Sequence, residues 1–139
     1  MAARGKTNSK YQGMNWIQPA RRLAIYLRDG LACAYCGSGI EDGARLTLDH
    51  ILPYSAGDKP DNGSGNLVTA CARCNSSRGT RSLAVFCKAV AQYLNHGTEA
   101  VAIRAHVRNC LKRPVDLAAA KALLARRGNF STTLSSLAA

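Results

Sequence analysis

The sequence predicts an α+β domain in which two short strands are held between helices by a bound metal. Three observations carry this reading. Two Cys-x-x-Cys pairs, Cys33/Cys36 and Cys71/Cys74, bracket residues 37–70. Both strand-like stretches, "RLTLDH" and "NLVTA", lie inside that interval. Apolar residues at helical spacing fill the chain on either side.

A chain of 139 residues suits one compact domain. A core of that size leaves little stability to spare, so a second source of stability is expected. The chain carries 19 basic against 8 acidic residues, a net charge of +11. Such an excess calls for a polyanionic partner, most commonly nucleic acid. The cations run from Arg4 to Arg127, which gives a broadly positive surface instead of one basic tail. The bland alternative is a charge excess that only keeps the protein soluble. No apolar run is long enough for a membrane helix, and "MAARGKTNSK" lacks the apolar stretch of a secretory signal. A cytoplasmic protein with no membrane partner is expected.

Disulfides are disfavoured in that compartment, so the two cysteine pairs read as a four-cysteine zinc site. The interval between them exceeds the roughly 15–20 residues of a zinc ribbon. Zinc would tie the two ends of this insert together and give its strands a fixed base. Structural zinc contributes on the order of 10 kcal/mol to small domains. Cys87 and Cys110 lack partner spacing, sit on apolar stripes and read as core residues.

The elements follow in order. Residues 1–15 are expected to be a basic disordered tail. "IQPARRLAIYLRDG" reads as a helix, with Pro19 in the first turn and Gly30 after the end. "CAYCGSG" is a tight turn, and "EDGA" leads into the first strand. "SAGDKPDNGSG" is too rich in Gly, Asp, Asn and Pro for regular structure. The second strand runs into "CARCNSSRGTR", a knuckle opening a short helix. Leu83, Phe86, Cys87, Val90 and Leu94 define a helix over 82–96 that ends at Gly97. Thr98 caps a helix over 99–113, with Ile103, Val107, Cys110 and Leu111 inward. Pro114 opens an Ala-rich helix to Arg127. The expected organisation is a core with its leading helix at 16–82, a helical extension packed on it at 83–127, and a flexible tail at 128–139.

The first strand ends in Asp49 and His50. Alone, such a pair is most often structural. Asn75, however, directly follows Cys74, and a helix rotates about 100° per residue, so Asn75 can face away from the zinc. Arg78 lies three residues on and shares its face. The geometry suggests two sites back to back, zinc behind and Asp49, His50 and Asn75 in front. Neighbours on a regular strand point to opposite faces, so the strand is expected to end or twist at Asp49-His50.

The stretches "CAYCG", "LDHILPYSAGD" and "NLVTACARCNSSRGTR" together resemble the HNH endonuclease family, the zinc-bearing branch of the ββα-metal nucleases, in its small free-standing phage or bacterial form. "PARRLAIYLRDG" is similar to the helix that leads into the motif, so the resemblance spans about residues 17–82. It implies a ββα core flanked by an N-terminal helix and C-terminal helices. It implies structural zinc on Cys33, Cys36, Cys71 and Cys74. His50 takes the place of the general base, Asp49 of the first metal-binding residue, Asn66 of the middle Asn that orients the motif, and Asn75 of the last metal ligand. Where the family often has Lys-Gly, this chain has Arg78-Gly79, which keeps the charge but makes it a planar fork.

The implied activity is hydrolysis of double-stranded DNA, by nicking or double-strand cleavage, to 5′-phosphate and 3′-hydroxyl ends. The residue types suit it. Histidine titrates near working pH and can take a proton from water. Asp49 and Asn75 offer hard oxygens for magnesium or manganese. Arg78 could hold a neighbouring phosphate. Arg78, Arg81 and the stripe Arg104, Arg108 and Lys112 are the expected DNA contacts. Asp58 and Asp61 are lesser metal candidates, Trp16 reads as packing, and His96 as a charge at a helix end. The competing reading is a zinc-stapled nucleic-acid-binding module without catalysis. A homodimer, or a phage or host protein partner, stays open.

Overall fold

The computed structural model describes residues 16–52, 62–94 and 98–138. The expected N-terminal tail, Asp58, Asp61 and His96 lie outside the described residues.

Helix α1 spans Pro19–Arg28, with proline in its first turn as expected. Strand β1, Leu46–His50, pairs antiparallel with β2, Leu67–Cys71, from Leu46 opposite Cys71 to His50 opposite Leu67. Residues alternate between faces along a strand, and cross-strand partners share a face. Thr47, Asp49, Val68 and Ala70 therefore lie on one side, and Leu46, Leu48, His50, Leu67 and Thr69 on the other. The second side packs on Ile17, just before α1, and on Ile25 and Tyr26 of α1. Tyr26 also donates a 2.9 Å hydrogen bond to the Leu46 carbonyl. The first side receives α2, Ala72–Arg78, and joins a core containing Tyr35, Phe86 and Val90. The two-stranded sheet is thus the middle layer, which lets a short hairpin bury both faces.

A buried ion pair fixes the start of β2. Arg28 Nε lies 2.7 Å from Asp29 Oδ1. The same guanidinium donates to the carbonyls of Ser64 and Leu67, both at 2.7 Å, while Asp29 Oδ2 accepts from the Thr69 amide at 2.8 Å. Each charge is satisfied by more than its partner, the condition under which a buried pair is tolerated.

Helices α3 (Leu83–Leu94) and α4 (Ala100–Lys112) extend the core through Phe86, Cys87 and Val90 against Ile103, Val107 and Cys110. Cys87 and Cys110 are fully buried, as read from their spacing. Helix α5 covers Leu117–Arg127 and α6 covers Phe130–Ala138. None of the described helices is long and apolar enough to cross a membrane.

Three expectations change here. The N-cap of α4 is Glu99, not Thr98. Helix α5 starts after Asp116, whose Oδ1 accepts from the Ala119 amide at 2.9 Å, and not at Pro114. Aspartate satisfies an orphan amide of the first turn, which proline cannot do. Residues 130–138, expected as flexible tail, are helical. Asn129 Oδ1 accepts from the Thr132 amide at 2.8 Å, and Phe130, Leu134 and Leu137 pack on Leu23, Ala24 and Ala120. The low-complexity composition concealed a cap and an apolar stripe.

Candidate active site and metal centre

The four cysteine sulfurs of Cys33, Cys36, Cys71 and Cys74 lie within 4.8 Å of one another, and Cys36 and Cys71 are 3.8 Å apart. Four sulfurs about 2.3 Å from one tetrahedral ion would stand about 3.8 Å apart. The cluster is thus compatible with zinc, and it can hold a structural metal. Local backbone builds it. The Cys36 amide points at Cys33 Sγ at 3.5 Å, and the Cys74 amide at Cys71 Sγ at 3.4 Å. Cys71 is therefore both a member of the cluster and the N-cap of α2. Gly37, at φ +82°, makes the turn that a side chain would strain. The Ala34 amide donates to the Thr69 carbonyl at 2.9 Å, docking the first knuckle on β2. Hydrogen bonding from Cys33 holds the Cys71 thiol down at about 6. Cys36 is also pulled below the thiol range, chiefly by Cys33, while Cys33 and Cys74 are pushed up. Such a cluster shares its protons until a cation replaces them.

On the α2 side of β1, Asp49 is 5% exposed. Its Oδ2 accepts two hydrogen bonds, from the Tyr35 hydroxyl at 2.6 Å and from Arg78 Nη1 at 2.9 Å. Burial first, then the Asp49 charge, push the Tyr35 phenol well above its ordinary range, so it stays a donor. Asn75 donates from Nδ2 to Thr47 Oγ1 at 2.8 Å and to the Leu48 carbonyl at 3.1 Å. A carbonyl only accepts, so the amide nitrogen must face β1 and Oδ1 must turn the other way. Asn75 thus faces away from the cysteine site, as the helical rotation predicts.

Arg78 differs from its expected role. It is 1% exposed, so it cannot lie along DNA as a surface cation. Nη1 also donates to the His50 carbonyl at 2.9 Å, and Nη2 to the Ile51 carbonyl at 2.7 Å. The fork is absorbed by one carboxylate and two orphan carbonyls where β1 leaves the sheet. Its Nε is buried with no partner among the described residues. Arg81, Arg104, Arg108 and Lys112 are exposed, the last three on the side of α4 away from Ile103 and Val107.

His50 is only half-buried. Its Nε2 lies 2.8 Å from Asn62 Oδ1, and its ring sits 5.0 Å from that of Trp16, tilted by 38°. The strand stays paired through His50 and ends there, as expected at Asp49-His50, without a break in register. Asp49 and His50 leave on opposite faces of β1. Asn66 holds the segment beyond. Its Oδ1 accepts from the Leu52 amide at 2.8 Å, and its carbonyl accepts from the Ile51 amide at 2.9 Å.

Three neighbours of the site escaped the sequence. Tyr35 was visible only as the filler of a Cys-x-x-Cys pair. Asn62 sits in a stretch that reads as loop. Trp16, read as packing, is 40% exposed beside His50.

Residues 33–81 match the family model for HNH endonuclease. That match identifies residues 33–81 as an HNH endonuclease domain. Similar curated proteins are the CRISPR-associated endonuclease Cas9 of Corynebacterium diphtheriae, 43% identical over 61 residues, and that of Actinomyces naeslundii, 44% identical over 65 residues. The matches cover 44% and 47% of this chain but only 5% and 6% of those proteins. A crystal structure of the Type II-C Cas9 enzyme from Actinomyces naeslundii aligns with a TM-score of 0.44 and 26% identity, covering 81% of this chain and 14% of that one.

Proposed function

We propose that the protein is a metal-dependent endonuclease that hydrolyses phosphodiester bonds of duplex DNA, with His50 as general base and Asp49 and Asn75 as ligands of a divalent ion. The carrying observation is the division of labour at the end of β1. The family match over residues 33–81 supports the reaction class.

The donor set fits a hard cation. Asp49 has both described contacts on Oδ2, and Asn75 is tethered through Nδ2. Each residue keeps an oxygen for magnesium or manganese. A divalent ion held by Asp49 and Asn75 would supply charge stabilisation for the displacement. The four cysteines would hold zinc, which would fix the scaffold.

In-line displacement needs the attacking and leaving oxygens on opposite sides of phosphorus. Asp49 and His50 point from opposite faces of one strand, which suits a phosphate placed across the strand end. His50 takes a proton from water as the new O–P bond forms. The P–O3′ bond breaks, and the 3′ oxygen picks up a proton from solvent. Asn62 sets the tautomer: if its Oδ1 accepts from Nε2–H, the basic lone pair is on Nδ1. Arg81, Arg104, Arg108 and Lys112 supply phosphate contacts, in keeping with the net charge of +11.

The test is nicking of supercoiled plasmid by zinc-loaded protein with magnesium, manganese or EDTA. His50→Ala should lose about 10²-fold to 10⁴-fold in rate. Wild-type rates in that variant would sink the assignment. DNA retarded on a gel but uncut in every metal would favour the non-catalytic binding module.

A further inference from the structure

Tyr35 occupies an unusual junction. It lies between Cys33 and Cys36, two members of the four-cysteine site. Its backbone neighbour Ala34 is bonded to β2. Its ring is packed edge-on against Phe86, at 4.9 Å and 80°. The hydroxyl reaches across to Asp49 Oδ2 at 2.6 Å. One covalent segment therefore carries two cysteine sulfurs and a donor to the candidate metal-binding carboxylate.

We propose that Tyr35 is a positioning residue that couples the cysteine site to the divalent-metal site, by holding Asp49 so that a single oxygen, Oδ1, is presented to the ion. This inference rests on the proposed ligand role of Asp49. The physical argument is one of orientation. A single hydrogen bond to one oxygen constrains rotation about χ2 only loosely. Arg78 anchors Oδ2 from α2, and Tyr35 anchors it from the knuckle. Two donors from different elements on the same oxygen narrow the orientation of the carboxylate further than either does alone. Partners of metal-ligating groups typically change metal affinity or activity by about 10-fold to 100-fold. The knuckle keeps its shape only while the four sulfurs are gathered, so gathering them also sets the position of the Tyr35 hydroxyl.

The experiment uses the full chain loaded with zinc, and reads manganese binding by electron paramagnetic resonance. Tyr35→Phe retains the ring and its contact with Phe86 and removes only the hydroxyl. It should raise the Kd for manganese about tenfold, while zinc content stays at wild-type stoichiometry. Phe86→Leu loosens the ring packing but leaves the hydroxyl. It should lower Tm with less than about a twofold change in manganese Kd if orientation is what matters. Equal manganese affinity in Tyr35→Phe and wild type overturns the proposal. So does a loss in Phe86→Leu as large as that in Tyr35→Phe, since affinity would then follow stability alone.

An independent readout needs no deletion. With 3-fluorotyrosine at position 35, saturating magnesium should displace the ¹⁹F resonance, and an unmoved resonance overturns the coupling. Failure of wild-type protein to bind manganese at all would be a failure of the metal-dependent reading itself. Binding in the wild type with no response at Tyr35 defeats the coupling alone.

Discussion

Arg78 and Asp49 form a buried pair at 2.9 Å, with side-chain exposures of 1% and 7%. The pair joins the end of α2 to the end of β1. The same guanidinium caps the His50 and Ile51 carbonyls. The position that the sequence offered as a phosphate contact is thus the bolt that keeps the end of β1 in place. Replacing Arg78 by Met should destabilise the fold by about 3–5 kcal/mol, because it strands a buried carboxylate. Urea unfolding checks this. Adding Asp49→Leu to that variant should restore part of the loss, since no orphan charge remains.

Asn75→Ala removes both donor bonds to β1 as well as the candidate ligand oxygen. Two buried acceptors lose a partner, so a stability cost of about 1–3 kcal/mol is expected. Manganese binding should weaken at the same time. Asn75→Ala with unchanged manganese affinity would remove Asn75 from the ligand set.

Asn62→Ala leaves His50 in place but frees its Nε2 from the 2.8 Å contact. Cleavage should slow by about tenfold, less than the 10²-fold or greater loss on removing the base itself. DNA affinity in a gel-shift assay should not move. A parallel fall in affinity would instead make Asn62 a DNA contact.

Cys71→Ser strikes a member of the four-cysteine cluster and a helix cap together, because Cys71 Sγ accepts from the Cys74 amide. Metal analysis should find zinc lost. Circular dichroism should show the domain largely unfolded, since structural zinc contributes on the order of 10 kcal/mol. A folded, zinc-free variant would show that the core stands without the metal.

Leu134→Ala tests the helix at 130–138. Leu134 packs on the cluster around Leu23, Ala24 and Ala120. A cost of about 1–3 kcal/mol is expected for this partly buried leucine, read by thermal unfolding. A frayed tail would give no change.

Local patterns carried much of this protein. The Cys-x-x-Cys spacing located the four-cysteine cluster, because two thiols separated by one tight turn can bind one ion. The apolar period of Leu83, Phe86 and Val90 located α3, since each helical residue chooses its own face. Proline and glycine marked both ends of α1. The rotation of a helix turned Asn75 onto a different face from Cys74, and alternation along β1 put Asp49 opposite His50. Each is a matter of residues close in the chain, where covalent geometry alone sets the answer.

What only the tertiary structure decided is which charge meets which. Arg78 and Asp49 are 29 positions apart, and Tyr35 and Asp49 are 14 apart. Nothing local tells an arginine that caps carbonyls from one that meets phosphate, because both use the same fork. The difference lies in burial, which depends on how α2 and the knuckle close over β1. The helix at 130–138 was hidden for a related reason. Its apolar residues Phe130, Leu134 and Leu137 stand among serines and threonines, and Leu23, Ala24 and Ala120 on other elements make their burial worthwhile. Short-range rules fix where groups can point; long-range packing fixes what they meet there, and at this site that is what turns a carboxylate and an imidazole at a strand end into an ordered pair.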